Sequence, residues 1–508
     1  MTIRLAVPAA ALAVALVACT HSPAPEGTPP AEAWLVAASA SLLNAPAVGA
    51  PGIAVVDPRA PGGGLQPVEP GEVTIRTASA FARGAPGWRG DEFLAYVKDD
   101  GTGGLALYTA SLRRADGPPA PIRCSAWSGT PSSLCTLWPA PDHLRPEHGA
   151  FVVHEAGPSG DCRDTNGLYW LIPLDAPPDT APTALPPFEG FQGGLERADG
   201  SLAGLIFSDA GGCFLLAASG NPATRVEVGG ASPCYVFDRR PGVAWISAGG
   251  SLLRLDAATL TAGAPGGVPA AIDGFTRASD DDYLYFLHAD TAGLAAWRAR
   301  HDGRAAAERV GEVPGAFTLS VTSTTLVAGV KGDAAMPPVL LSLPKAGGTT
   351  TELYRSPVAQ ASLLAVESNP GSDQVFLTDY GDGTAVTLRI DGCGLARFGD
   401  RSLPSSFSCD VPDYWRPAGR RCLLAEASGG VQALRSFDAA DGREVARLGE
   451  VPALYADGLR TFGAAGTLAF VQVYSMSPRG FGLLLVDTEQ AGSAVLVSEG
   501  LIPIWSPW

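Results

Sequence analysis

The stretch Leu284-Tyr285-Phe286-Leu287-His288, a polar turn, and then Leu294-Ala295-Ala296-Trp297-Arg298-Ala299 decides how this chain folds. Two apolar runs of strand length, separated by a break ending at Gly293, read as a β-hairpin. Neither run is long enough, or periodic enough, for a helix. The unit is not isolated. First runs of the same form begin at Trp34, Phe93, Phe151, Leu205, Ala244, Leu326, Val375, Leu423 and Leu468. Second runs begin at Gly52, Leu105, Leu168, Leu252, Val386 and Leu483. The units recur every 40 to 60 residues or so, about the period of propeller blades. Asp116-Gly117, Asp199-Gly200, Asp302-Gly303, Asp391-Gly392 and Asp441-Gly442 supply pairs that tolerate the positive φ of tight turns.

Composition agrees. With 62 Gly and 44 Pro in 508 residues, turns are many and long helices few. The fold class is all-β, a β-propeller of repeated antiparallel blades, because radial repetition gives many short strands a core without long open edges. Ten candidate hairpins are counted. Eight blades is the central expectation and seven to ten the range, the surplus hairpins meaning insertions within a blade, an unusually large ring or two rings. The first unit starts at Trp34 without a preceding strand, and residues 501–508 are placed to supply it.

Leu255-Asp256-Ala257-Ala258-Thr259 and Phe437-Asp438-Ala439-Ala440-Asp441-Gly442 resemble the Leu-Asp-Ala-x-Thr-Gly strand and turn of quinoprotein-type blades, without the Trp that follows it there. Ile504-Trp505-Ser506-Pro507 is similar to the Trp-Ser-Pro-Asp-Gly opening of TolB-type blades, with Trp508 where Asp would stand. Both resemblances imply a propeller.

The N-terminus carries an address. A short apolar run from Leu5 to Val17 follows Arg4, and Leu16-Val17-Ala18-Cys19 closes it. The run is too short to span a bilayer permanently and reads as a signal peptide. Its end resembles the lipobox of bacterial lipoproteins, which implies cleavage before Cys19 and a lipid on its sulfur. Thr20, rather than Asp, implies by the same resemblance sorting to the outer membrane. The expected organisation is residues 1–18 as signal peptide, 19–33 as lipidated Cys and Pro-rich tether, and 34–508 as propeller. The expected location is the cell envelope, with the membrane reached only through the N-terminal lipid. In architecture the whole resembles propeller lipoproteins that act as scaffolds in outer-membrane assembly.

A formal net charge of −16 argues against nucleic acid as a partner. Nine Cys are present; with Cys19 set apart, Cys124, Cys135, Cys162, Cys213, Cys234, Cys393, Cys409 and Cys422 form an even set. In an exported chain such a set reads as disulfides. Closeness in sequence favours Cys124–Cys135 and Cys409–Cys422.

The search for chemistry is negative. No Gly-x-Ser-x-Gly, phosphate-binding loop or Cys-x-x-Cys-His occurs. His143, Glu147, His148 and His154 make the one cluster with metal-binding residue types, but Pro146 forbids the helix that would align them, and a solvated loop is expected. His288 reads as a wall or core residue and His301 as a turn residue. Asp379-Tyr380-Gly381-Asp382-Gly383 and Asp280-Asp281-Asp282 offer carboxylates without the alternating oxygens of a calcium loop. Asp280–Asp282 is read as a solubilising turn; no cofactor is expected, with calcium at either place as the alternative. Phe407, Tyr414, Trp415 and Arg416 break the repeat rhythm, and Trp127 and Trp138 flank the Cys124–Cys135 segment. These six are the candidate binding-loop residues, or else aromatics that cap the ring and bury themselves. The function expected is recognition of an envelope protein or glycan. The alternative is a lyase, glycosidase or oxidoreductase working in the central channel.

Overall fold

The computed structural model describes forty strands between residues 35 and 505. It also describes connections that include 102–104, 126–130, 156–162, 179–182, 186–189, 197–201, 241–242, 257–260, 264–267, 280–282, 301–307, 313–315, 322–324, 331–338, 345–350, 356–360 and 488–494. No helix occurs among the described residues. The strands form ten four-stranded antiparallel sheets, nine of them built from consecutive strands. The tenth takes Leu35–Ser39, Ile53–Val56 and Leu65–Glu69 from the chain start and Leu501–Trp505 from its end. We number this mixed sheet blade 1 and the others in chain order. Blade 2 runs from Ile75–Phe81 to Ile122–Arg123, blade 3 from Leu134–Ala140 to Thr183–Leu185, and blade 4 from Gly190–Glu196 to Val226–Gly229. Blade 5 spans Cys234–Arg240 to Thr261–Gly263, blade 6 Arg277–Ser279 to Glu308–Glu312, and blade 7 Ala316–Val321 to Thr351–Arg355. Blade 8 opens with Ala365–Ser368, blade 9 with Phe407–Cys409 and blade 10 with Gly458–Ala465.

The opening stretch shows why a propeller results. Tyr283–Asp290 and Gly293–Arg300 pair as the hairpin of blade 6, Phe286 opposite Trp297. Leu284, Tyr285, Phe286 and Leu287 are all fully buried, so the strand is covered on both faces. A strand in that position reads as a continuous apolar run rather than an alternation. Its side chains still point alternately to opposite faces. Leu284 and Phe286 pack with Trp245 and Leu252 of blade 5, while Tyr285 and Leu287 pack with Leu319 and Leu326 of blade 7. Blade 4 divides in the same way, Leu205 and Phe207 toward blade 3 and Ile206 toward blade 5. The core is therefore a series of seams between sheets. Each large apolar side chain sealed in one contributes roughly 1.5–3 kcal/mol.

The sheets are ten, within the expected range of seven to ten and above its centre of eight. Every counted hairpin supplies the middle of its own sheet, so none is an insertion. Gly200 and Gly303 take φ of +85° and +68°, as their Asp-Gly turns require. The pairs at Asp116, Asp391 and Asp441 include residues outside those described.

First strands meet between blades 1 and 2, 2 and 3, 3 and 4, 4 and 5, 6 and 7, 7 and 8, and 9 and 10, which places them on the inner side of the propeller. Antiparallel order then sorts the connections onto two faces. One, the turn face, carries the links from first to second and from third to fourth strands. The other, the entry face, carries the links from second to third strands and the passages between blades.

Candidate binding face

The turn face is held by polar clamps between blades. Arg240 of blade 5 donates to Asp238 and to Asp281 of blade 6. Arg254 donates to the His301 carbonyl at 2.7 Å, and Lys345 of blade 7 reaches the Asp280 carboxylate at 2.5 Å. Ser323 and Thr324 of blade 7 both donate to Asp373, before the second strand of blade 8. Arg421 of blade 9 bridges Asp438 and, in blade 10, Glu489. Each carboxylate here has a structural partner. Asp302, for example, is held down to about 2 by the Arg300 guanidinium and the Arg304 N–H.

Two expectations change on this face. Asp280 is buried rather than a solvent-facing turn residue. It accepts from the backbone N–H groups of Asp282 and Tyr283 and from the Tyr285 hydroxyl, as well as pairing with Lys345. Its carboxylate is thus engaged with Lys345 within the fold. His301 does lie in a turn, but it is buried and hydrogen-bonded through both ring nitrogens.

The entry face differs. Phe317 is 57 % exposed, Met336 59 % and Leu168 53 %, and Tyr235 and Val358 are exposed with them. Tyr235 and Phe317 are second residues of the first strands of blades 5 and 7. Leu168 opens the third strand of blade 3. Met336 lies in the second-to-third link of blade 7, and Val358 in the passage to blade 8. All five therefore lie at the same end of their sheets. Of the exposed large apolar residues described, Val495 and Leu496, on the outer strand of blade 10, stand apart from this set.

Several local devices fix this face. Asp333 Oδ1 accepts from the N–H groups of Ala335 and Met336, and the Asp333 N–H donates to the Met336 carbonyl, so a closed turn presents Met336. Gly332 lies so close to the Gln360 carbonyl that a Cβ would come within 2.4 Å, which seats this link on the next passage. Gln360 in turn donates to Asp379, which also accepts from the Tyr354 hydroxyl at 2.8 Å. Asp379 is fully buried. Residues 380–383 lie outside those described.

Disulfides pin the same face. Cys135 bonds Cys162, joining the first strand of blade 3 to its second-to-third link, and Cys213 bonds Cys234, joining blade 4 to blade 5. Cys135 is thus not partnered with Cys124. Proximity in sequence misled because Cys162 returns to Cys135 across the sheet. Cys409 stands opposite Cys422 in the strand register of blade 9. Cys19, Cys124 and Cys393 lie outside the described residues.

The loop candidates fare unevenly. Phe407 is in a strand, opposite Leu424. Tyr414, Trp415 and Arg416 lie outside the described residues. Trp127 is not surface: only 3 % exposed, it packs with Leu105, Leu107 and Phe151 between blades 2 and 3. Trp138 belongs to a strand of blade 3, its ring 6.2 Å from His154 and 5.4 Å from Phe191. Apolar packing claims Trp127 wholly and Trp138 in part. His154 is likewise no solvated-loop residue, being buried with its ring 4.4 Å from that of Tyr169. His143, Glu147 and His148 lie outside the described residues. His288 sits on a strand with its ring edge-on to Trp297, a wall position. The five entry-face residues were missed because single apolar residues at strand ends look like the strands they adjoin.

No family model matches the chain, and no curated protein matches it. Among solved structures it is similar to AztD from Citrobacter koseri, at 11 % identity over 80 % of this chain and 94 % of that one, with a TM-score of 0.32. TolB from Acinetobacter baumannii is similar at 10 % identity, 68 % and 77 % coverage and a TM-score of 0.26. Kluyveromyces lactis Hsv2 follows at 9 %, 67 % and 95 %, and 0.32. Likenesses this distant carry no function across, and the propeller assignment rests on the sheet order itself.

Proposed function

We propose that this protein is a lipid-anchored envelope module whose propeller recognises another protein or a glycan through its entry face. The observation that carries the binding reading is the gathering of Leu168, Tyr235, Phe317, Met336 and Val358 at one end of the sheets. Exposed aromatic and apolar groups on a rigid frame are what an interface core uses. An active site would instead need acids and bases left available for substrate. The perturbed acids described on the turn face, Asp256, Asp280 and Asp302, are instead engaged with neighbours in the fold. The anchor reading rests on the Leu16–Cys19 lipobox resemblance and the Pro-rich segment after it.

The test uses the full-length protein expressed with its own N-terminus. Metabolic labelling with palmitate should mark the wild type and not Cys19→Ala. Pull-down from envelopes and a glycan array should each be run with the wild type, with Phe317→Asp/Met336→Asp, and with Val495→Asp as control. Loss of the retained partner or glycan in the double variant alone supports the reading. Equal retention by all three removes the entry face from consideration.

A further inference from the structure

The seam between blades 5 and 6 contains a buried histidine whose protonation state is dictated by its neighbours. Trp245, fully buried on the second strand of blade 5, places its indole nitrogen 2.9 Å from His301 Nδ1. An indole N–H only donates. Nδ1 must therefore be the acceptor, and the ring proton sits on Nε2, which lies 3.0 Å from the Asp280 carbonyl. That carbonyl only accepts, so both contacts are satisfied by the neutral Nε2–H tautomer and by no other form of the ring.

The main chain holds the ring in place. The His301 N–H donates to the Asp282 carbonyl, and Arg254 of blade 5 donates to the His301 carbonyl. The charged groups around it come from three blades. Blade 5 contributes Arg240, Arg254 and Asp238, whose Oδ2 lies 3.9 Å from His301 Nε2. Blade 6 contributes Asp280 and Asp281, the latter bound to Arg240. Blade 7 contributes Lys345, which neutralises Asp280.

We propose that His301 is an acid-sensitive latch, whose protonation breaks the Trp245 contact and loosens the seam between blades 5 and 6. A proton added at Nδ1 turns the acceptor into a donor facing a donor, and leaves the indole N–H buried without a partner. Leaving a buried donor unmet is costly. Burial, helped by the nearby Arg240 charge, holds the His301 pKa below its usual 6.5, against the opposing pull of Asp238 and Asp280. The sign follows from that direction. The unfolded chain takes up its proton near 6.5 while the folded one resists, so His301's contribution is full above 6.5 and is lost as pH falls from there to the folded pKa. Lys345 pairs with Asp280 and keeps it in place, so the change is confined to the Trp245–His301 contact.

The test is hydrogen exchange of the full-length protein at about pH 7.5 and pH 5, corrected for intrinsic rates, with the wild type and His301→Gln. Gln offers an oxygen to Trp245 and an N–H to Asp280 but does not titrate. Acid should raise exchange in the wild type along Val243–Ala248 and Tyr283–Asp290 but not along Leu202–Asp209 of blade 4, and the rise should vanish in the variant. An equal rise in both proteins, or none in the wild type, overturns the latch. Should His301→Gln fail to fold, the NMR titration of ring-labelled His301 decides in the wild type and in Trp245→Phe. A wild-type midpoint below 6.5 that climbs on loss of the indole supports the latch, and an unmoved midpoint overturns it.

Discussion

Val36 and Trp505 face each other across an antiparallel ladder, although almost the whole chain lies between them. The ladder continues through Ala38 opposite Ile502 and Ser39 opposite Leu501. Blade 1 thus obtains its innermost strand from the far end of the chain, and its pairing converts a row of sheets into a closed ring. Without it the first strand of blade 2, which packs beside Leu501–Trp505, would face an open gap.

Truncation after Gly500 should therefore lower unfolding stability by more than about 3 kcal/mol, a large fraction of what holds a typical domain together. Thermal unfolding checks it. An unchanged melting temperature would show that the ring does not depend on this strand.

Cys409 and Cys422 are direct partners in the blade 9 register. Opposed residues in an antiparallel pair have Cα atoms about 4.5–5.5 Å apart, inside the range a disulfide spans. Peptide mapping without reduction should recover the two in one cross-linked fragment. Recovery of both as separately alkylated peptides refutes the pairing.

The bond between Cys213 and Cys234 ties blade 4 to blade 5 within a cluster of buried apolar side chains. Replacing both by Ser should cost roughly 2–4 kcal/mol, mostly by freeing the unfolded chain. Denaturant unfolding with and without reductant measures it. Reductant should destabilise the variant less than the wild type.

The repeat, the all-β class and the closure were all legible, because apolar runs such as Leu284–Leu287 and Leu205–Phe207 record burial on both sheet faces. The partners across seams were not. Nothing near Cys135 points to Cys162 rather than Cys124, and nothing in the turn at Asp280 foretells a lysine from the next blade. Trp127 and Trp138 looked like loop aromatics because they flank the Cys124–Cys135 segment, but their neighbours in space include Phe151 and Phe191. The entry face was hidden for the opposite reason. Phe317 follows Ala316 as any strand residue would, and only ring geometry shows that the ring of one is exposed while the other is buried. The anchor proposed at Cys19 rests on sequence alone, on the resemblance of Leu16–Cys19 to a lipobox.

Tyr354→Phe removes the hydroxyl that donates to fully buried Asp379. Leaving one carboxylate oxygen without that donor should cost about 1–3 kcal/mol. Because Gln360 holds the other oxygen and packs on Gly332, the link carrying Met336 should also exchange faster. Unfolding and hydrogen exchange together check both effects; a stability loss with no change at residues 331–338 would separate the link from its support.

Asp280 gives the clearest pH prediction. Burial would push its carboxyl up, but Lys345, the Tyr283 N–H and the Tyr285 hydroxyl outweigh burial and hold it below 3.8. A depressed folded pKa means stabilisation that is complete above the unfolded value and lost as pH falls through the folded one. Lys345→Met strands the carboxylate, since a buried pair robbed of one member is left with an uncompensated charge. The variant should lose on the order of 3 kcal/mol at neutral pH. Its stability should then recover relative to wild type as acid protonates Asp280, because a neutral carboxyl no longer needs the ammonium. Stability measured from about pH 7 down to pH 3 should thus show the two proteins converging, and Lys345→Met/Asp280→Asn should restore much of the loss at neutral pH. Parallel curves over that range would mean that the lysine contributes by packing on the Tyr285 ring rather than by charge.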